Sequence, residues 1–515
     1  MAKFFQPPGG AMQNECLLIR DAWIVDPDAP AFRGDILVSG SEITRVGPDA
    51  GRGAVPTRII DARGGMAIPG FVSAHYHSHD VLLRGSFEPL PLEGWYMVAV
   101  PPNYPKRTRE EIKARAMLGA LECLRGGITT IQDMATVYPF DEDHVTAMLE
   151  AYEEVGIRVV LALQVADVPG QKGVPFWEEV IPKELHASLT ASVKPLGNAS
   201  TIIELVRGQL ARWRGKHERV TWGLGPATPE NCSTDFLERI VELSVEADCR
   251  VFTHVYESKS MALNARRHYK QFDGSLIRYM ESIGLLNNRL TMAHCVWLTQ
   301  DEIERIAAAG TSISVNPVSN LKTKSGVAPI REMIEAGVRV ALGTDNCSCS
   351  DAQNMFQSMK LFCLLTAASH GGEGRPAAAD ALRAATQGSA TAVGLSGKVG
   401  KIAPGFKADF SILDPNDPAL LPLNDPVRQI VYSESGRAVR HVIVHGEVVI
   451  RDGASTRIDE AAFAEEVERL MPALRTDLAA VINRNRAVAP YLRKAHELTL
   501  QEDIGLNRFI ATPLG

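Results

Sequence analysis

A chain of 515 residues with 45% hydrophobic content can bury a large core and is long enough for one large α/β unit plus a smaller one. A formal charge of -7, a pI near 6.0 and the lack of any long Lys/Arg cluster exclude a general attraction to nucleic acid or anionic lipid. No apolar run approaches the length needed to cross a bilayer, and "MAKFFQPPGG" lacks the apolar core of a signal peptide. A cytoplasmic protein acting on a small molecule, with no nucleic-acid or membrane partner, is therefore expected.

In chain order, "CLLIRDAWIV", "GDILVSGSEITRVG" and "TRIIDARGGMAI" are short runs of branched residues broken by Asp, Gly and Pro, the texture of strands with tight connections. "PGFVSAHYHSHD" follows. If Val72 to His77 is extended, side chains two apart share a face, so His75 and His77 point the same way. On this stretch alone, a metal site and a solvated strand end are equally good readings. Next, "TREEIKARAMLGALECLRGG" opens on a capping pattern at Thr108 and Glu111 and closes at Gly126; "TQDEIERIAAAG" repeats the device with Thr299, Glu302 and Gly310.

Between Pro69 and Leu395, such helical segments alternate with eight apolar runs: "GFVSAHYH", "ITTIQDM", "RVVLALQV", "VTWGLGP", "RVFTHVY", "RLTMAHCV", "TSISVNP" and "RVALGTD". Near-continuous apolar runs imply strands covered on both faces, and eight strand and helix units fit a closed (β/α)8 TIM barrel better than an open sheet. Strand texture returns in "KADFSILD" and "RHVIVHGEVVIRDG", where His445 and Gly446 read as a hairpin turn. The expected α/β architecture is a barrel over 69–395 and a small β-sandwich built from both chain ends, 1–68 and 396–455. A helical tail over 456–515 carries an apolar stripe of Phe463, Val467, Leu470 and Leu474. Whether the tail packs on the barrel or joins subunits stays open at this point.

The eight cysteines are scattered through a long chain, which predicts free thiols, and the lone CxC of Cys347 and Cys349 is weak evidence for zinc. In a barrel of this type, chemistry sits where strands end. His75 and His77 end the first strand, His254 and then Glu257 follow the fifth, His294 ends the sixth and Asp345 the eighth. Closure places the eighth strand beside the first, so the set reads as a mononuclear metal site with an adjacent base. The other histidines end no assigned strand at this face.

"PGFVSAHYH", "THVYE", "MAHCVW", "NPVSNLKTKSGVAPIREMIEAGVRVALGTDN" and "GKIAPGFKADFSILD" together resemble the amidohydrolase superfamily. The resemblance is to its mononuclear aminohydrolase branch, which includes cytosine, guanine and S-adenosylhomocysteine deaminases and triazine hydrolases, and it runs from about Asp21 to Gly453. It implies that His75, His77, His254 and Asp345 are metal ligands, Glu257 the proton shuttle, and His294 the residue that holds the nucleophile or polarises the substrate. Binuclear members use a carboxylated lysine from the fourth strand; "VTWGLGPATPEN" has none, so one divalent ion, Zn2+ or Fe2+, is expected. The chain departs from the pattern at Val315, where many relatives place a histidine, and in the run "NCSCSD".

Hydrolytic deamination of an amino-substituted N-heterocycle (purine, pyrimidine, pterin or triazine) is the expected reaction, because an amine leaves poorly unless protonated and Glu257 can supply the proton. A dehalogenating or dealkylaminating hydrolase would keep the same metal set, and a non-catalytic barrel is the remote alternative. Arg84, Trp95 and Asn320 are candidate substrate contacts, His79 has a supporting or loop role, and a homo-oligomer is expected.

Overall fold

The computed structural model describes residues 16–170, 174–186 and 196–510. The start of the chain, on which the expectation about a signal peptide rests, lies outside the described residues. Every apolar run singled out in the sequence forms a strand. The first group comprises β1 (Cys16–Asp26), β2 (Ala29–Ser39), β3 (Glu42–Gly47), β4 (Arg58–Asp61) and β5 (Met66–Pro69). A second group is β6 (Phe71–His77), β7 (Ile128–Ala135), β8 (Arg158–Val165), β9 (Val220–Pro226), β10 (Val251–Val255), β11 (Leu290–His294), β12 (Ser312–Val315), β13 (Arg339–Leu342) and β14 (Asp345–Asn346). The last group is β15 (Phe410–Leu413), β16 (Val439–Val444), β17 (Glu447–Arg451) and β18 (Ala454–Ser455).

The second group makes one curled parallel sheet in the order β13-β12-β11-β10-β9-β8-β7-β6-β14. β13 pairs with β12, and two residues further along the chain β14 pairs with β6 through Asp345↔Tyr76 and Asn346↔His77. The same stretch of chain thus sits at both ends of the pairing order, which brings Asp345 beside the His75 and His77 strand. Gly343 permits that approach: a Cβ there would lie 2.3 Å from Asn316 Oδ1 and 2.8 Å from His75 Cβ. All seven residues of β6 are buried, as expected for a strand covered on both faces.

The first and last groups share a separate mixed sheet, β18-β17-β16-β15-β5-β1-β2-β3 with β4 paired to β1. The two chain ends therefore meet: β15 runs antiparallel to β5, pairing Phe410 with Pro69. Ile19, Ile36, Phe410 and Ile443 form the core of this sheet, alternating with outward positions. A single residue, Gly70, carries the chain from β5 into β6, and it has no room for a side chain, since a Cβ would lie 2.2 Å from Thr129 Oγ1. The two sheets are pinned by a buried pair, Arg158 Nε donating to Asp409 Oδ2 at 2.7 Å, while His445 N donates to Asp409 Oδ1 at 2.7 Å. The hairpin turn forms where the sequence places it, with His445 and Gly446 both at positive φ.

Both capped helices are present. The helix Arg109–Arg125 has Thr108 Oγ1 accepting from Glu111 N, and Gln300–Ala309 has a reciprocal capping box between Thr299 and Glu302. The tail folds back as the helices Glu460–Asn485 and Ala489–Gln501. Phe463 and Leu474 are buried, and Arg107 pairs with Asp477 as well as Glu111, so the tail packs on the same molecule next to the segment that follows the first parallel strand. All eight cysteines are free thiols. Among the described residues, no helix is long and apolar enough to cross a membrane.

Candidate metal centre and catalytic cavity

The alternation of β6 turns His75 and His77 to one side, and their Nε2 atoms lie 3.2 Å apart. His254, the fourth residue of β10, brings its Nε2 to 3.3 Å from that of His77. Asp345 Oδ1 is 3.3 Å from His75 Nε2 and 3.6 Å from His77 Nε2. The sequence thus supplies four ligand-type atoms from three distant stretches, all of them buried.

The outer ring nitrogens fix the tautomers. His77 Nδ1 donates to the carbonyl of Met134 and His254 Nδ1 to that of Ala227, each at 2.7 Å. With the proton at Nδ1, both Nε2 atoms carry lone pairs, and these face each other across 3.3 Å. Two lone pairs at that distance repel unless a cation lies between them. Ligands about 2.0–2.1 Å from a tetrahedral ion stand about 3.3–3.4 Å apart, which is the spacing seen here. The donor set therefore fits one divalent ion.

Burial, aided by neighbouring histidines, lowers His254 to about 3, and burial takes His75 to about 4 against the opposing pull of Asp345. Burial works against the Asp345 carboxylate, but the hydrogen bond and charges of the histidines hold it well below the usual range. Neutral imidazoles beside an ionised carboxylate are the protonation states that ligation requires. Asp345 and His294 both adopt left-handed backbone, φ 60° and 72°. Such conformations cost of order 1–3 kcal/mol each and persist where surrounding structure enforces them.

His294 lies beside this cluster, its Nε2 3.9 Å from Asp345 Oδ2 and 3.4 Å from Glu257 Oε2. Its Nδ1 is held by Asn320 Oδ1 at 2.8 Å. Burial raises Glu257 to about 7, with His294 opposing and the charges of Asp345 and Glu93 reinforcing the rise. A cavity of about 90 Å³ opens above these groups and is lined by His77, His254, Glu257, His294 and Asp345 together with residues following the first four parallel strands.

The candidate substrate contacts separate. Trp95 lines the cavity, and its indole Nε1 donates to Ser348 Oγ at 2.7 Å. Arg84 does not line it; its guanidinium pairs with Glu122 and donates to Cys347 Sγ at 3.3 Å. Asn320 also lies outside the lining and touches His294 instead. His79 lines the cavity beside Asn346, its Nε2 3.1 Å from the side-chain amide, while Cys349 lines it and Cys347 does not. Asp80 escaped sequence reasoning: fully buried, it accepts from Cys347 N at 3.1 Å and Ser348 N at 2.9 Å and so anchors the unusual "NCSCSD" turn. Its signal was its place at the end of the histidine alternation. Tyr96, Val137, Gln164 and Asn231 in the lining were also missed: Gln164 sits near the end of β8 without an ionisable group to mark it, and the other three lie in the connections between strands, where strand periodicity gives no signal.

The sequence profile of the amidohydrolase family matches residues 66–449. A 5'-deoxyadenosine deaminase from Methanopyrus kandleri is 32% identical over 400 residues, 78% of this chain and 84% of that protein. A 5-methylthioadenosine/S-adenosylhomocysteine deaminase from Desulforudis audaxviator is 32% identical over 459 residues, 88% of this chain and 97% of that one. Among solved structures, an adenosine deaminase from Xanthomonas campestris with bound zinc superposes with a TM-score of 0.78 at 25% identity, covering 90% of this chain and 99% of its own. The zinc complex of an atrazine chlorohydrolase from Arthrobacter aurescens shares the fold with a TM-score of 0.76 at 24% identity, covering 88% and 100%.

Proposed function

The chain belongs to the amidohydrolase family, and on that premise we propose that it hydrolyses a carbon-nitrogen bond, removing ammonia from an amino-substituted N-heterocycle. The observation that carries the reading is the pairing of a cation-ready donor set with a buried carboxyl whose pKa is raised to about 7, 3.4 Å from His294 in the same cavity. The relatives named as adenosine-type deaminases support it.

His75, His77, His254 and Asp345 would hold one divalent ion, Zn2+ or Fe2+, since imidazole and carboxylate suit both. When bound, the ion supplies positive charge that brings the pKa of water towards neutrality. His294, fixed by Asn320, orients the attacking water. Asp345 Oδ2, the carboxylate oxygen turned towards His294, receives the proton that the water gives up. Glu257 gives its carboxyl proton to a ring nitrogen, takes the hydroxyl proton from the tetrahedral carbon and passes it to the departing amine. It is recharged by the proton held on Asp345, so that both carboxyls return to their starting states. A carboxyl titrating near 7 is still substantially protonated at neutral pH, which is what an amine leaving group requires.

The curled parallel sheet is read as a closed (β/α)8 barrel over 69–395 and the mixed sheet as a β-sandwich of 1–68 and 396–455, with 456–515 as a tail. The proposed setting is a cytoplasmic homo-oligomer acting on a small molecule, and light scattering on the purified protein tests the assembly. Ammonia release from amino-purines, pyrimidines, pterins and triazines, with and without chelator, tests the reaction. Chelator-sensitive ammonia release supports it, whereas halide release from chloro-substituted rings without ammonia release from any amino ring would replace it with dehalogenation.

A further inference from the structure

Part of the cavity lining belongs to a segment that the far end of the chain holds in place. Trp95 and Tyr96 come from the helix Leu92–Ala99, and Val100 and Pro102 from the stretch that follows it. The last-turn carbonyls of so short a helix have no further turn to donate to them. Side chains meet three of them. Tyr96 O accepts from Asn103 Nδ2 at 2.8 Å, Val98 O from Tyr104 Oη at 2.6 Å, and Met97 O from Asn485 Nδ2 at 2.5 Å. Two of these donors are local, but Asn485 is buried at the end of the tail helix Glu460–Asn485, 388 residues further along the chain. Its neighbour Arg484 donates to the carbonyl of Asn103 at 3.0 Å, so the tail grips the stretch that carries Val100 and Pro102 at both ends.

Apolar packing acts in the same place: Met97 shares a buried cluster with Val488 and Leu492 of the tail, and Trp95 and Val100 share one with Leu474. The metal-ligand side chains are held separately, His77 by the carbonyl of Met134, His254 by that of Ala227 and Asp345 by the pairing of β14 with β6. Without the Asn485 amide, the buried Met97 carbonyl loses its donor and the helix end shifts to find another, carrying the lining residues with it. We infer that Asn485 and Arg484 are positioning residues for substrate binding, and that the tail sets the part of the cavity formed by Trp95, Tyr96, Val100 and Pro102. This rests on the deaminase reading of the same cavity. A wall that touches the substrate equally before and during reaction contributes uniform binding, so its displacement raises KM and spares kcat.

Steady-state ammonia release by the metal-loaded full-length enzyme tests the inference, with whichever of adenosine, guanine, cytosine or melamine it turns over fastest. Asn485→Ala should raise KM at least 5-fold and Arg484→Met at least 3-fold, with kcat within 3-fold of wild type and metal content unchanged. Arg484 is exposed, so its variant decides if Asn485→Ala does not fold. Arg486→Met, exposed two residues further along, is the control and should leave KM within 2-fold. A smaller rise in either folded variant, or a rise accompanied by loss of kcat and metal, would overturn the inference while leaving deamination intact. Hydrogen exchange read by mass spectrometry needs no substrate. In Asn485→Ala, or in Arg484→Met if that variant alone folds, residues 95–104 should exchange at least 5-fold faster, with 71–77 and 290–294 unchanged. If the wild type releases ammonia from none of the four rings, the deaminase reading fails for them and exchange alone decides. Unchanged exchange in 95–104, or faster exchange throughout, counts against the inference.

Discussion

Replacing Glu257 with Gln removes one proton and almost nothing else. The amide keeps the shape of the carboxyl and can still meet His294, whose Nε2 lies 3.4 Å from Glu257 Oε2, but it cannot protonate a leaving amine. Burial sets the magnitude. With a pKa near 7, about half of the Glu257 carboxyls carry a proton at pH 7; at the ordinary value of 4.5 only about 0.3% would, a difference of roughly 150-fold. Loss of a positioned general acid costs about 10²- to 10⁴-fold in rate, or about 2.7–5.4 kcal/mol of activation free energy. The assay is ammonia release at saturating substrate, with metal content measured on the same protein sample. The wild type should also lose kcat as pH rises through about 7, because the required form is the protonated one, and Glu257→Gln should lack that limb. A variant with full metal content and kcat within 3-fold of wild type would refute the proton-transfer role.

Asn320→Ala removes the 2.8 Å partner of His294 Nδ1, leaving only the Asn316 side-chain amide 3.3 Å away, and should lower kcat about 10-fold with metal retained, which single-turnover rates and metal analysis check. Arg84→Ala should leave KM and metal content within 2-fold of wild type, because its guanidinium engages Glu122 and Cys347 outside the cavity. Gly343→Ala forces a Cβ against Asn316 and His75 and should cost about 1–3 kcal/mol of stability in urea unfolding, together with weakened metal retention. Burial raises Glu230 from 4.5 to about 7. Because the folded-state value lies above the unfolded one, its favourable contribution is present below about 4.5 and is lost as pH rises through about 7. Glu230→Gln should therefore gain stability relative to wild type between pH 5 and pH 8, by up to about 3 kcal/mol, in paired urea titrations.

Much of the site was legible because it rests on strand periodicity. His75 and His77 share a face through the two-residue repeat of β6, and His254 and His294 lie at strand ends that apolar runs mark plainly. Asp345 was legible for a different reason: pairing of β14 with β6 follows from eight strands curling upon themselves. The meeting of β5 and β15 likewise followed from similar texture at both chain ends. What escaped lies in the connections. Arg84 falls in the segment after the first strand, but nothing in a sequence tells whether such a side chain turns to the cavity or to Glu122 on a neighbouring helix. Asn320 follows a strand end by five residues, and a short helical turn, Pro317–Lys322, places it against His294 rather than in the lining. The tail helix showed its apolar stripe, yet the stripe alone did not say that its partner was the same chain.

Anomalous scattering from crystals of the metal-loaded protein, recorded on both sides of the absorption edge, tests the central claim most directly. One peak per chain is expected, about 2 Å from the Nε2 atoms of His75, His77 and His254 and from a carboxylate oxygen of Asp345. Two peaks in the cavity, or a single ion bound away from these four side chains, would contradict the account.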